Sequence, residues 1–277
     1  MTMFPDRSDH VSTIRRSPLV FFVLAFSFAI PFWLIGAAIG SELLPGLPVA
    51  ALMAVCPALA ALVLAHRERG AAGMRSVVER AFDWNRITAR GWYAPILLLM
   101  PFVSIVAFAV IRAMGTRVPA PEISVPHTVI LCGVFFIAAL GEELGWSGYA
   151  LEPMQQRWGA LGASLVLGVL CAVYHYVALA QAHRSVAWIG WWSLGTVATR
   201  VVMVWIFNNT GRSVFAVALF HMTLNVSWQL FPVDGSYFDP RIHGPIMAVV
   251  ATIVTVVWGP RTLRARTSEG VRCDRAR

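Results

Sequence analysis

The chain has 277 residues, 58% of them hydrophobic and 13% charged, with a mean hydropathy of +0.68 and a formal net charge of +8. So little charge over this length excludes a water-soluble domain and places the chain among polytopic membrane proteins. All 22 basic residues are arginines, nearly all in segments that flank apolar runs, so they report orientation in a bilayer and not nucleic-acid binding.

A helix needs about 20 apolar residues to cross the hydrocarbon core. Eight stretches qualify: 18–40, 47–65, 92–114, 127–150, 159–181, 186–207, 213–231 and 243–259. The first follows Arg15 and Arg16, a superficial export-signal pattern. It is too long for a signal peptide, lacks a small-residue cleavage site and precedes further spans, so a retained helix is expected. Gly36 and Gly40 on this span have a small-xxx-small spacing that suits close helix packing. The segment 70–90 is too polar to cross. Its weak amphipathic pattern (Met74, Val77, Val78, Ala81, Phe82) predicts a solvated connector along the membrane surface. Trp92, Tyr93, Trp188, Trp191, Trp192 and Trp258 fall near span ends, where interfacial anchors belong. Asn208, Asn209 and Thr210 have the form of a glycosylation sequon, but with Gly211 they read as a turn. Cys56, Cys132 and Cys171 lie in apolar segments and Cys273 in the basic tail; they suit packing, with no disulfide or zinc-knuckle spacing.

Seventeen arginines fall on the side that holds both tails and the 66–91 connection, against Arg117, Arg184 and Arg241 on the other. The positive-inside rule then puts both termini in the cytoplasm, as an even number of spans requires. The fold expected is all-α: about eight transmembrane helices around a polar cavity, in the plasma membrane of a bacterial cell.

Polar groups inside the apolar runs mark the functional centre. Glu142 and Glu143 stand side by side on the fourth span, His175 on the fifth, and His221 and Asn225 on the seventh. An ionisable group at bilayer depth costs about 2.5–3.5 kcal/mol on insertion scales, so each is a functional candidate. His221 and Asn225 are four residues apart and share a helix face. A carboxylate near an imidazole can activate water, and an imidazole with an amide can hydrogen-bond an oxyanion. Equally, Glu142, His175 and His221 would supply three ligands to a divalent metal such as zinc, with an open position for water. The residue types fit both arrangements. Counted from the span ends, Glu142 and His221 lie about 8 residues in and His175 about 16. At about 1.5 Å per residue that leaves His175 roughly 12 Å too far outward. Either the fourth helix runs on through Met154 or the fifth begins nearer Gly162.

Three motifs, GEELGWSGY from Gly141, the span ending in CAVYHY, and the segment closing in HMTLN, follow one another on successive spans. In order and spacing they resemble the CPBP family of intramembrane endopeptidases, which includes type II CAAX prenyl proteases and bacteriocin-immunity relatives. The resemblance covers 127–231 and divides the chain into amino-terminal helices and connector (1–126), a catalytic core (127–231), and a last helix with a basic tail (232–277). It implies that Glu142 is the base that activates water, that His175 helps to hold the water, and that His221 and Asn225 stabilise the oxyanion. The family has been read both as metal-dependent and as glutamate-dependent; the expectation is metal-free chemistry without a cofactor, with a divalent metal such as zinc on Glu142, His175 and His221 as the alternative. Its substrate would be a membrane-associated peptide or protein, with membrane lipids as the other partner.

In this family Glu143 pairs with an arginine four residues on, and here Ser147 occupies that position. Arg200 lies mid-span on the sixth helix, where relatives carry a small residue, and an arginine at that depth needs an anion. Arg200 is therefore expected to reach Glu143 from the neighbouring helix. Two rival functions follow from the same residues. A non-catalytic binding or self-immunity protein is favoured by Ser147, and a transporter would use Glu142, Glu143 and Arg200 as a relay. A transporter is expected to show repeats or broken spans in matching halves, and the sequence shows none.

Overall fold

A computed structural model describes residues 17–231 and 237–264. The arginines of the amino-terminal tail and Cys273 with the far carboxyl tail lie outside the described residues. Eight α-helices are present among them: α1 (Pro18–Ile39), α2 (Cys56–Glu79), α3 (Tyr93–Ala113), α4 (Val125–Gly145), α5 (Leu151–Gln181), α6 (Val186–Asn209), α7 (Val214–Leu230) and α8 (Pro240–Trp258). Six continuous helical runs are long and apolar enough to cross a membrane, and α7, with 17 residues, is a shorter apolar helix. The chain is an all-α polytopic membrane protein. Helix α4 packs against α2 and α7, α6 lies between α5 and α8, and α3 packs on α7 and α8.

The expected fourth and fifth spans form one helical run, Val125–Gln181, of 57 residues. At 1.5 Å per residue it is about 85 Å long, far more than a bilayer, so it must fold back. It does so at Gly159, whose φ of 70° and ψ of 176° are open to a residue without Cβ. The fourth helix thus runs on through Met154, and Glu142 and His175 stand nearly equidistant from the bend. That removes the mismatch in depth. The bend frees backbone N–H groups, and Ala160 and Leu161 donate theirs to the carbonyls of Arg261 and Pro260 at 2.8 and 2.9 Å. Asn208 and Asn209, at the end of α6, donate to the Thr262 and Leu263 carbonyls at 2.8 and 2.7 Å. The segment after α8 is therefore a clip across the bend, and the two asparagines are more than a turn.

The second expected span, 47–65, is not one helix. A short antiparallel pair, β1 (Glu42–Leu44) and β2 (Leu47–Pro48), leads into a 3₁₀ segment, Val49–Val55, before α2 begins with Pro57 in its first turn. Pro57 has no N–H to satisfy, which suits a helix start. Helix α2 then passes the arginines at 67 and 69, breaks at Gly70 (φ 61°), and resumes to Glu79. Gly36 packs on Ala50 as its spacing suggests, but Gly40 caps α1 in a left-handed conformation and makes no such contact.

The 70–90 connector differs most from expectation. Gly73, Val77 and Ala81 are buried, and so is Asp83. The Asp83 carboxylate accepts the N–H groups of Val214 (3.2 Å) and Phe215 (3.0 Å) and the Ser213 hydroxyl (2.7 Å). It meets unpaired donors and the positive end of the dipole at the start of α7. Arg80 donates to the carbonyls of Gly148 and Arg212 at 3.0 and 2.6 Å. The connector is a bracket on the bundle along its buried side and exposed along the other. Asp83→Ala is expected to cost about 1–2 kcal/mol, the upper range for a lost helix cap, seen as a lower thermal unfolding temperature in detergent.

Candidate active site

The two glutamates sit at the end of α4, where the helix widens into a single π turn, Trp146–Ala150. Gly141 and Gly145 let α4 lie directly on the backbone of Ala54 and Pro57; a Cβ at Gly141 would stand 2.7 Å from the Ala54 carbonyl oxygen. Trp146 and Tyr149, within the turn, are buried among Phe21, Phe22 and Tyr174. The Tyr174 hydroxyl donates to the Met53 carbonyl at 2.8 Å, which fixes α5 against the 3₁₀ segment. The carboxylates are thus held on a rigid frame, and their surroundings differ.

Glu143 is saturated. Arg200 Nη1 donates to both of its oxygens, at 3.0 and 2.8 Å, so the guanidinium does arrive from α6. Ser147 Oγ donates to Oε2 from one turn on, and His221 Nδ1 lies 3.0 Å from Oε1. Glu143 is 0% and Arg200 4% exposed, so each is the other's charge compensation inside the bundle. With the carboxylate as acceptor, His221 Nδ1 carries a proton and Nε2 is left for another contact. One carboxylate therefore joins α4, α6 and α7.

Glu142 is open by comparison. Its Oε2 accepts from Trp146 Nε1 at 3.1 Å, and its Oε1 lies 3.9 Å from His175 Nε2, too far for a direct hydrogen bond. His175 Nδ1 donates to the Cys171 carbonyl at 2.7 Å, which aims Nε2 at the carboxylate. The imidazole is partly exposed and its ring lies 5.6 Å from that of Trp192. Asn225 is half-buried, one turn beyond His221, and among the described residues has no hydrogen-bond partner.

Trp146 is not marked by the sequence reading, and Cys171 is marked there for packing alone, not for the carbonyl that holds His175. Both stand four positions from a site residue, Glu142 and His175 respectively, so helical spacing could have flagged them. Cys171 also accepts from Arg200 Nη2 through its sulfur, at 3.5 Å. The metal set Glu142, His175 and His221 is not assembled. Among the described residues no three His, Cys, Asp or Glu groups converge on a metal-binding position, and one nitrogen of His221 is committed to Glu143.

Residues 124–227 match a family model described as Type II CAAX prenyl endopeptidase Rce1-like. The chain is also similar to a protein of Methanococcus maripaludis named CAAX prenyl protease 2, with 20% identity over 269 residues, which cover 88% of this chain and 95% of the relative. The matched segment spans α4 to α7 and contains every site residue described above. Motifs, helices and both matches agree: the chain is a multi-pass membrane protein whose residues 124–227 are similar to type II CAAX prenyl endopeptidases.

Proposed function

We propose that the chain is an intramembrane endopeptidase that hydrolyses a peptide bond in a membrane-associated peptide or protein. The observation that carries this reading is the contrast between the carboxylates. Glu143 has every acceptor position filled, while Glu142 keeps Oε1 turned toward His175 Nε2 at 3.9 Å. A water held between these two atoms is close enough to hydrogen-bond with both.

Glu142 takes a proton from that water as its oxygen attacks the scissile carbonyl carbon. The carbonyl oxygen becomes an oxyanion that accepts from His221 Nε2–H and the Asn225 amide. For His221 to donate there while Nδ1–H faces Glu143, both ring nitrogens must carry a proton. The C–N bond then breaks, and Glu142 passes its proton to the leaving amine. The arginine-rich end of the bundle is the cytoplasmic side on the positive-inside rule, with both termini there, in a bacterial plasma membrane.

The names of the matched family and of the relative point to prenylated substrates. The rival reading is a binding or self-immunity protein, which rested on Ser147 in place of arginine. It has less weight with Arg200 at 2.8 Å from Glu143. The test is cleavage of a panel of short membrane-bound peptides by purified protein in detergent. Cleavage that a chelator leaves unchanged is expected. Loss of activity with chelator replaces the metal-free chemistry, and no cleavage by a well-folded preparation favours the binding protein.

A further inference from the structure

Residues 70–92 join two spans, and both of their ends lie at one membrane boundary. The apolar part of α2 closes at Ala65, ahead of His66, Arg67, Glu68 and Arg69, and α3 opens at Tyr93. A segment fixed in this way must lie in the interfacial layer. Its helical part presents two apolar rows. Gly73, Val77 and Ala81 are buried against the bundle. Met74, Val78 and Phe82, each one residue further along, form a second row that is exposed, Phe82 by 60%. Trp84 is 52% exposed, and its ring meets that of Phe82 edge-on at 6.2 Å.

Arginines border this row. Arg67 and Arg90 are exposed and, among the described residues, lie within ion-pair distance of no carboxylate, while Arg69 donates only to the Ser76 hydroxyl. Arg157, Arg261 and Arg264 are exposed and likewise unpaired on the segments beside the Gly159 bend, at the same end of the bundle. The acids at this end are mostly engaged: Glu79 by Arg75, Glu152 by Arg212, and Asp83 by the start of α7. An apolar row edged by uncompensated positive charge matches a layer that is apolar below and anionic above.

We infer that residues 71–86 form an interfacial anchor that recognises an anionic phospholipid surface. Met74, Val78, Phe82 and Trp84 enter the acyl boundary, and Arg67, Arg69 and Arg90 meet headgroup phosphates. The inference does not depend on the proposed peptidase activity, and its test reads no activity. A nitroxide is attached at Val78→Cys in a chain with Cys132→Ser and Cys273→Ser; Cys56 and Cys171 are buried. The protein is placed in nanodiscs of phosphatidylglycerol or of phosphatidylcholine. Collision of the label with oxygen, which partitions into lipid, is compared with collision with an aqueous nickel chelate. In phosphatidylglycerol the oxygen-to-nickel ratio is expected to be several-fold higher than in phosphatidylcholine. Arg67→Gln, Arg69→Gln and Arg90→Gln together should remove the difference, and a label at Ala72, off the exposed row, should remain aqueous in both. A label at Val78 that is aqueous in both lipids overturns the anchor and points to a protein partner on this face. Equal lipid contact in both, unaffected by the arginine substitutions, overturns the recognition of charge.

Discussion

Glu142→Gln is expected to fold as the parent does and to cleave peptide about 10²–10⁴-fold more slowly, the span that general-base catalysis contributes. Glutamine keeps the shape of the side chain and can still accept from Trp146 Nε1, which lies 3.1 Å from Oε2. It cannot take a proton from water, so the loss falls on the chemical step. The decrease should appear in kcat with KM little changed, because in the proposed reaction Glu142 binds the nucleophile and not the peptide. Peptide cleavage followed by mass spectrometry, beside thermal unfolding of both proteins, checks this. A Glu142→Gln protein with parental kcat would remove Glu142 from the reaction. Parental unfolding with no turnover is the expected pattern.

Arg200→Ser is expected to harm the fold first and activity as a result. Breaking a buried ion pair leaves an uncompensated charge and costs about 3–5 kcal/mol. Here the stranded group is Glu143, 0% exposed, which would keep only Ser147 and His221 as partners. His221 would then be held by a carboxylate that is itself less firmly fixed, so the proposed oxyanion site should loosen. The sharper experiment moves the cation. In Ser147→Arg/Arg200→Ser the guanidinium returns to the same helix as Glu143, one turn on, at a spacing that permits the pair. It can use the volume that Arg200 vacates. The double variant should recover most of the stability lost in Arg200→Ser, as read by unfolding temperature in detergent. An Arg200→Ser protein as stable and as active as the parent would show that the pair has no role. Failure of the double variant alone would mean that the pair depends on α6 for its geometry.

The positions of the helices were legible because a run of some twenty apolar residues has few alternatives. The polar residues were legible for the complementary reason, since Glu142, Glu143, His175, Arg200 and His221 are conspicuous in apolar surroundings. Even the relocation of the cation could be read, because Arg200 needed an anion and Glu143 had lost its usual partner. What composition hides is backbone geometry. Val49–Val55 is as apolar as a spanning helix, and hydropathy does not tell a 3₁₀ turn from an α-helical one. The continuation of the fourth helix to Trp158 depended on a single residue, Gly159, adopting a left-handed φ. Asp83 was invisible for a different reason. A carboxylate in a polar connector reads as solvated, and only the folded chain brings it to the start of α7, 131 positions from Val214.

The clip across the Gly159 bend also bears on the order in which the protein is made. The N–H groups of Ala160 and Leu161 receive their acceptors from Arg261 and Pro260, and the two asparagines that end α6 receive theirs from Thr262 and Leu263. None of these acceptors exists until α8 has left the ribosome. A nascent chain that has inserted α4 to α7 holds every polar residue of the site, yet the hinge between Glu142 and His175 is still unlatched. Assembly of the centre therefore waits on α8 and the segment that follows it.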